Sequence, residues 1–241
     1  MTGHATDGKL EFAPGSLDSL SVYKLMAGSI VPRPIGFIST LGSDGIFNAA
    51  PFSFFNMVSH MPPLVSVSIA RNKPAGPTKD TLANIMASGE FVINVVSKEI
   101  VAAVDQCSHS YPADVDEIEI SGLTPCASSA VRPPCILESP VSFECRLAGQ
   151  GVLPDSIHCL VIGSIVRIHV RSDLLTSEFR IDQSRLAAVG RMAGNTYCHT
   201  GDMFTLAHDG FAAVPRQTVA HADGGLSNRA LDAAGESKRL P

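Results

Sequence analysis

The chain alternates short apolar runs with turn residues, and strands dominate the pattern. Arg33–Leu41 reads as a strand that stops at Gly42-Ser43-Asp44-Gly45, and Asp-Gly between two apolar runs predicts a hairpin. The returning strand covers 47–58, and Pro51 inside it predicts an edge, a bulge or a bend. Leu64–Ala70 alternates with period two, which puts Val65, Val67 and Ile69 on one face and Ser66 and Ser68 on the other. Leu82, Ile85 and Met86 share one helical face, with Thr78 or Asp80 as the cap and Gly89 at the C′ position. An apolar strand over 91–96 and a short helix near 98–106 follow. After an irregular segment at 108–140, rich in Pro, Ser and Asp, two long strands at 141–153 and 157–170 read as an antiparallel pair.

The two ends differ from this middle. Residues 1–24 read as a loose N-terminal arm, and 208–241, poor in large apolar groups, as a flexible tail. The domain is therefore expected over 25–207. Hairpin spacing with one or two helices predicts a mainly β protein built as a closed or partly open antiparallel barrel. No G-x-G-x-x-G follows a strand, and P-loop, G-x-S-x-G and H-E-x-x-H patterns are absent.

Composition narrows the function classes. The 241 residues are 45% hydrophobic and 17% charged, enough apolar material for a sizeable core. A net charge of −5 with no basic run argues against nucleic acid and anionic lipid, and 6% aromatics argue against base stacking. No apolar stretch approaches a membrane span and the first residues show no signal-peptide core, so a cytoplasmic protein is expected. The six cysteines form no C-x-x-C, and the neighbours in His158-Cys159 and Cys198-His199 face opposite ways if extended. Scattered thiols and no metal site are expected.

Several motifs then occur together: Arg33-Pro34-Ile35-Gly36-Phe37-Ile38-Ser39-Thr40, Asn48-Ala49-Ala50-Pro51-Phe52-Ser53-Phe54-Phe55-Asn56, Lys79-Asp80-Thr81-Leu82-Ala83-Asn84-Ile85, Gly89–Asn94 and Val189–Tyr197. In this order they resemble the flavin reductase-like family, the FMN-binding split barrels of the nitrilotriacetate monooxygenase component B and flavoredoxin type. The resemblance implies an antiparallel Greek-key split β-barrel with a few short helices. It also implies FMN as cofactor, with FAD the alternative, and NADH or NADPH as hydride donor. The expected activity is NAD(P)H:FMN reduction by a homodimer acting on small molecules, with reduced flavin passed to a partner monooxygenase. Two alternatives stay open: a tightly held FMN that reduces another small acceptor, and a flavin-binding protein without turnover. No catalytic acid or base is expected, because the cofactors carry hydride transfer.

The residues support two readings at each cluster. Ala49, Ala50, Pro51, Ser53, Phe54, Phe55 and Asn56 form either a strand that lets a flavin approach its backbone or a bulged core strand. Arg71, Lys79 and Thr81 lie at a helix start suited to a phosphate, or belong to an ordinary capped helix with solvated cations. Arg191 and Tyr197, around Gly190 and Gly194, form a loop over the flavin or a plain tight turn. His158 is a nicotinamide neighbour or a half-exposed polar residue. The resemblance adds Arg33, Ser39, Thr40 and Ser68 to the flavin contacts.

Overall fold

The computed structural model describes residues 4–72, 77–152 and 154–206, with only the backbone of residues 4–6 and 178. The expected tail at 208–241 lies outside the described residues. A hairpin of β1 (His4–Thr6) and β2 (Lys9–Glu11) precedes α1 (Ser19–Ser29) and β3 (Arg33–Pro34). Then come β4 (Gly36–Leu41), β5 (Phe47–Phe52), β6 (Phe55–His60), β7 (Pro63–Ala70), α2 (Asp80–Ser88), β8 (Glu90–Val95) and α3 (Val101–Gln106). The irregular segment holds α4 (Glu117–Ile120), β9 (Pro125–Cys126) and β10 (Cys135–Ile136). Beyond it are β11 (Val141–Val152), β12 (His158–Val170), α5 (Gln183–Leu186), β13 (Val189–Arg191) and β14 (Tyr197–His199).

Seven strands form one antiparallel sheet in the order β5-β4-β8-β11-β12-β7-β6. Its two edge strands, β5 and β6, are consecutive in the chain, with only Ser53 and Phe54 between them. A flat sheet would hold its edges many strand widths apart, at about 4.8 Å per strand. Two residues bridge the edges only if the sheet curls on itself. The Phe54 carbonyl accepts from Ser68 N at 2.8 Å and ties this corner to β7. Inside the curl lie Ile38, Val65, Val67, Ile69, Phe91, Ile93, Cys145 and Val161, with Leu82 and Ile85 of α2 closing one end.

The period-two reading of β7 holds, since Val65, Val67 and Ile69 are buried and Ser66 and Ser68 half-buried. Pro51 does sit on an edge strand. Four expectations are corrected. The 47–58 strand is two, broken at Ser53–Phe54, because each half pairs with a different neighbour. Met86 is 37% exposed, and only Leu82 and Ile85 of that trio reach the core. Lys79 takes the N-cap position of α2 without a side-chain cap bond, in place of Thr78 or Asp80, while Gly89 closes the helix at φ 70° as a left-handed cap. The expected loose arm contains α1, started by Asp18, whose carboxylate accepts from Ser21 N at 2.9 Å.

One glycine sets a packing limit. A methyl group at Gly163 of β12 would sit 2.5 Å from the ring of fully buried Phe91. Gly163→Ala is expected to cost about 1–3 kcal/mol, and combining it with Phe91→Leu should recover part of that cost. Urea unfolding of the two single variants and the double variant measures the coupling; additive losses would contradict the contact.

Glu144 of β11 is fully buried. Its carboxylate accepts from the amides of Ser129, Ala130 and Val131 at 2.8, 2.6 and 3.1 Å, from Ser129 Oγ at 2.9 Å and from His169 Nε2 at 2.5 Å. Burial alone would raise its pKa, but these donors, led by the Ser129 amide, hold it down to about 2. A depressed carboxylate stabilises the fold above the unfolded value of about 4.3, and that contribution disappears as pH falls through about 2. The stability gap between the wild type and Glu144→Gln, measured by denaturant unfolding, should therefore be full at pH 6 and shrink steadily below pH 4.

Candidate functional site

The outer side of β5 has no strand partner in the sheet, so its outward backbone groups must find other company. Ala49 N points away from β4 and donates to Glu117 Oε2 at 3.2 Å. By the alternation of an antiparallel ladder, Pro51 faces the same way, and there its missing N–H costs no ladder bond. The carbonyls of Ala49 and Pro51 share that outward direction.

A buried polar network backs this edge. Asn48 Nδ2 donates to Glu117 Oε1 at 2.9 Å, and Asn48 Oδ1 accepts from Thr81 Oγ1 at 2.8 Å and Thr40 Oγ1 at 3.2 Å. Asn84 Nδ2 completes it by donating to Thr40 Oγ1 at 3.0 Å. Burial pushes the Glu117 carboxyl above its ordinary value against these hydrogen bonds, and the charge of Asp80 adds to the rise. Ser39 is equally enclosed, donating to the Pro134 carbonyl at 2.5 Å and accepting from Asn94 Nδ2 at 3.1 Å.

Three hollows follow one another along β5 and around the corner. The first, about 70 Å³, is lined by Asn48, Ala50, Pro51, Lys79, Thr81, Ser108, His109, Tyr111 and Glu117. The second, about 200 Å³, shares Pro51 and Ser108 with it and adds Tyr23, Arg33, Ser53, Arg191 and Tyr197. The third, about 610 Å³, shares Tyr23, Arg33 and Ser53 with the second and is walled by Val22, Met26 and Ile30 of α1, Phe54, Phe55, Asn56, Ser66, Ile157 and His158. Together they make a trough with a narrow polar end, where Lys79 stands beside Asp80 and Glu117, and a broad apolar end.

At the narrow end Lys79 precedes α2, whose first amides and positive dipole end favour an anion. Its Nζ lies 5.8 Å from the centre of the Phe52 ring. Lys79 N donates to the Arg71 carbonyl at 3.0 Å, which brings two cationic residues side by side, Arg71 being exposed. At the broad end the Phe54 and His158 rings sit 5.7 Å apart, tilted by 43°. Burial first, then the charge of Lys79, lowers the His158 pKa and favours the neutral imidazole. Between the ends, Arg191 lies 4.5 Å over the Tyr197 ring and donates to its hydroxyl, while Tyr197 Oη donates to Asp105 Oδ1 at 2.5 Å.

Most of the residues singled out from sequence therefore meet in one place. Arg33, Ala50, Pro51, Ser53, Phe54, Phe55, Asn56, Lys79, Thr81, His158, Arg191 and Tyr197 line the trough. Ser39, Thr40 and Ala49 lie beneath it, fully buried, and the Ser39 and Thr40 hydroxyls are spent inside the protein. Arg33 is also committed: it is 6% exposed and donates to the carbonyls of Ala27, Ile30 and Met192 and to Ser53 Oγ. Ser68, half-buried on β7, and Arg71 do not line the three hollows. Sequence reasoning missed Asn48, Glu117 and the whole α1 wall. For α1 a signal existed, since Val22, Met26 and Ile30 recur at i, i+4 and i+8 behind Asp18. For Glu117 there was only Asp116, which caps α4 by accepting from Ile118 N and Glu119 N.

Comparison with known proteins fits this geometry. Residues 27–188 match the model of the flavin reductase like domain. The structure of nitrilotriacetate monooxygenase component B from Bacillus cereus superposes with a TM-score of 0.78 at 36% identity, covering 83% of this chain and 100% of that one. Pseudomonas fluorescens 2-nitrobenzoate 2-nitroreductase gives 0.77 at 30% identity, over 86% and 99%. A Shewanella frigidimarina protein with a split barrel domain gives 0.73 at 24% identity, over 83% and 100%, which bears on the fold alone. The curled sheet is thus a split β-barrel, and the chain belongs to the flavin reductase like family.

Proposed function

We propose that this protein is an NAD(P)H-dependent flavin reductase that holds FMN along the free edge of β5. The observation that carries the reading is the continuity of the trough, from Lys79 at the start of α2, past Pro51 and Ser53, to the hollow walled by Phe54 and His158. The residues fit a flat heteroaromatic ring with a charged tail. Lys79, Arg71 and the α2 amides answer a phosphate, and the outward carbonyl of Pro51 accepts from a ring N–H group. The Ser53 and Tyr197 hydroxyls stand beside the middle of the trough.

Bound flavin would supply the hydride-accepting centre. The protein's own part is position and exclusion of water. Phe54, Ile157 and the α1 side chains give the broad hollow an apolar wall suited to a nicotinamide ring, and neutral His158 adds no charge that would repel its cationic oxidised form. The likeness to a monooxygenase component supports transfer of reduced flavin to a partner monooxygenase. A second reading keeps FMN resident and places a small organic acceptor in the 610 Å³ hollow, supported by the likeness to a nitroreductase.

Lys79→Met should weaken FMN binding about 10- to 100-fold while leaving riboflavin affinity within about threefold, since a charge-assisted hydrogen bond contributes about 1.5–3 kcal/mol. Flavin fluorescence titration measures both ligands, and an equal loss for the two would remove the phosphate assignment. Anaerobic NADH and NADPH addition, with and without free FMN, then separates the readings. Oxidation of nicotinamide only when FMN is supplied identifies flavin as substrate, bleaching of a protein already yellow identifies resident FMN, and absence of oxidation leaves a binding protein.

Homodimer formation belongs to the same proposal. α1 and β6 expose Leu20, Tyr23, Met26, Met57 and Val58, each at least half exposed, on either side of the broad hollow. Light scattering after size exclusion should give twice the chain mass, and Met57→Lys should shift it toward the monomer. A monomer at micromolar concentration in the unmodified protein would contradict the dimer.

A further inference from the structure

Away from the trough, the segment between α4 and β11 folds into a loop whose base is the β9–β10 pair, and there Cys126 stands directly opposite Cys135. Leu137 N donates to the Thr124 carbonyl at 2.9 Å, so Thr124 and Leu137 form a hydrogen-bonded pair. Two steps along an antiparallel ladder the same kind of pair recurs, which puts the Cys126 and Cys135 Cα atoms about 5.5 Å apart. That separation lies within the range that a disulfide spans. Both side chains line one hollow of about 220 Å³, together with Ser142 and His169. Cys126 is exposed, and Cys135 is buried beneath it with its sulfur 3.6 Å from Ser128 Oγ.

From this we infer that Cys126 and Cys135 form a reversible thiol–disulfide couple, oxidised by hydrogen peroxide, that closes the 126–135 loop at its base. The exposed Cys126 sulfur attacks one peroxide oxygen, the O–O bond breaks, and the departing oxygen leaves as water once protonated. Cys126 is then a sulfenic acid. Cys135 sulfur attacks the Cys126 sulfur, the S–O bond breaks, and a second water carries away the Cys135 proton. Two thiols and one peroxide become one disulfide and two waters, with the two sulfurs losing two electrons in all.

The surroundings support this pairing over the alternatives. Burial pushes the thiols of Cys107 and Cys145 to about 11 and about 12 and that of Cys135 up as well, so the exposed Cys126 is the thiol placed to meet the oxidant first. Ligand atoms of Cys135, Glu144 and His169 lie within 4.8 Å of one another, which invites a metal. The Glu144 oxygens, however, already hold three amides, one hydroxyl and the His169 ring nitrogen. A metal would have to break several of those bonds, whereas a disulfide between Cys126 and Cys135 uses none of the Glu144 oxygens. The same bonds pin residues 129–131 at the apex of the loop, so both ends of the link keep their places. The inference does not depend on the flavin reading.

The test uses the full chain, reduced, freed of reductant and exposed to hydrogen peroxide. Alkylation of free thiols in denaturant, intact mass and peptide mapping are then compared. The expected result is loss of two alkylated thiols, a mass lower by two hydrogens and one Cys126–Cys135 peptide link within a single chain, all reversed by dithiothreitol. Cys126→Ser, at an exposed position that does not threaten folding, should abolish the link and leave Cys135 alkylated. Cys126 halted at sulfinic acid with Cys135 free, a link between two chains, a link to another cysteine, or no oxidation would each overturn the proposal.

Discussion

The two-residue corner at Ser53–Phe54 is the constraint on which the rest of this molecule depends. It joins the strands at opposite edges of one seven-stranded sheet, so the sheet has no flat solution. Arg33 braces the corner with its donor to Ser53 Oγ, while its other nitrogens hold the end of α1 and the turn after β13. A buried guanidinium with four acceptors is satisfied, and removing any one acceptor leaves a charge short of partners. The seam it guards carries Ser53 into the middle of the trough and Phe54 into its broad end. Barrel closure and site construction are therefore one event in this fold.

Much of this could be read from residues alone, and the failures share a cause. β7 and the core of α2 followed from periodicity, because each packs one regular face, and β11 and β12 followed from their long runs, β-branched in the second. The break between β5 and β6 left no local trace: Phe52, Phe54 and Phe55 read as one apolar run, although Phe52 is buried and Phe54 is 42% exposed. What separates them is the identity of the strand each half pairs with, which is a long-range fact. The motif residues of the trough were found through resemblance, while their supports were not. Glu117 lies 69 residues from Asn48 in a segment without periodicity, so nothing near it announced a partner.

Glu117 and Glu144 show how one residue type takes opposite characters from the number of donors around it. Both are buried carboxylates, at 5% and 0% exposure. Glu144 collects five donors that overcome its burial and hold its pKa down to about 2, whereas burial pushes the Glu117 carboxyl up against the bonds from its own amide, Ala49 N and Asn48 Nδ2, and the charge of Asp80 adds to the rise. The first acts as an anchor for the loop that Cys126 and Cys135 bound. The second lines the narrow end of the trough, where burial disfavours its charged form.

The treatment of β5 has a consequence for life at high concentration. An unpaired strand in a sheet invites another copy to add itself as the next strand, the first step of ordered aggregation. Here Ala49 has surrendered its amide to Glu117, and Pro51 has none to offer. A neighbouring strand would find acceptors without the alternating donors a ladder requires, so it gains no register. The edge stays open to a small molecule and closed to another polypeptide.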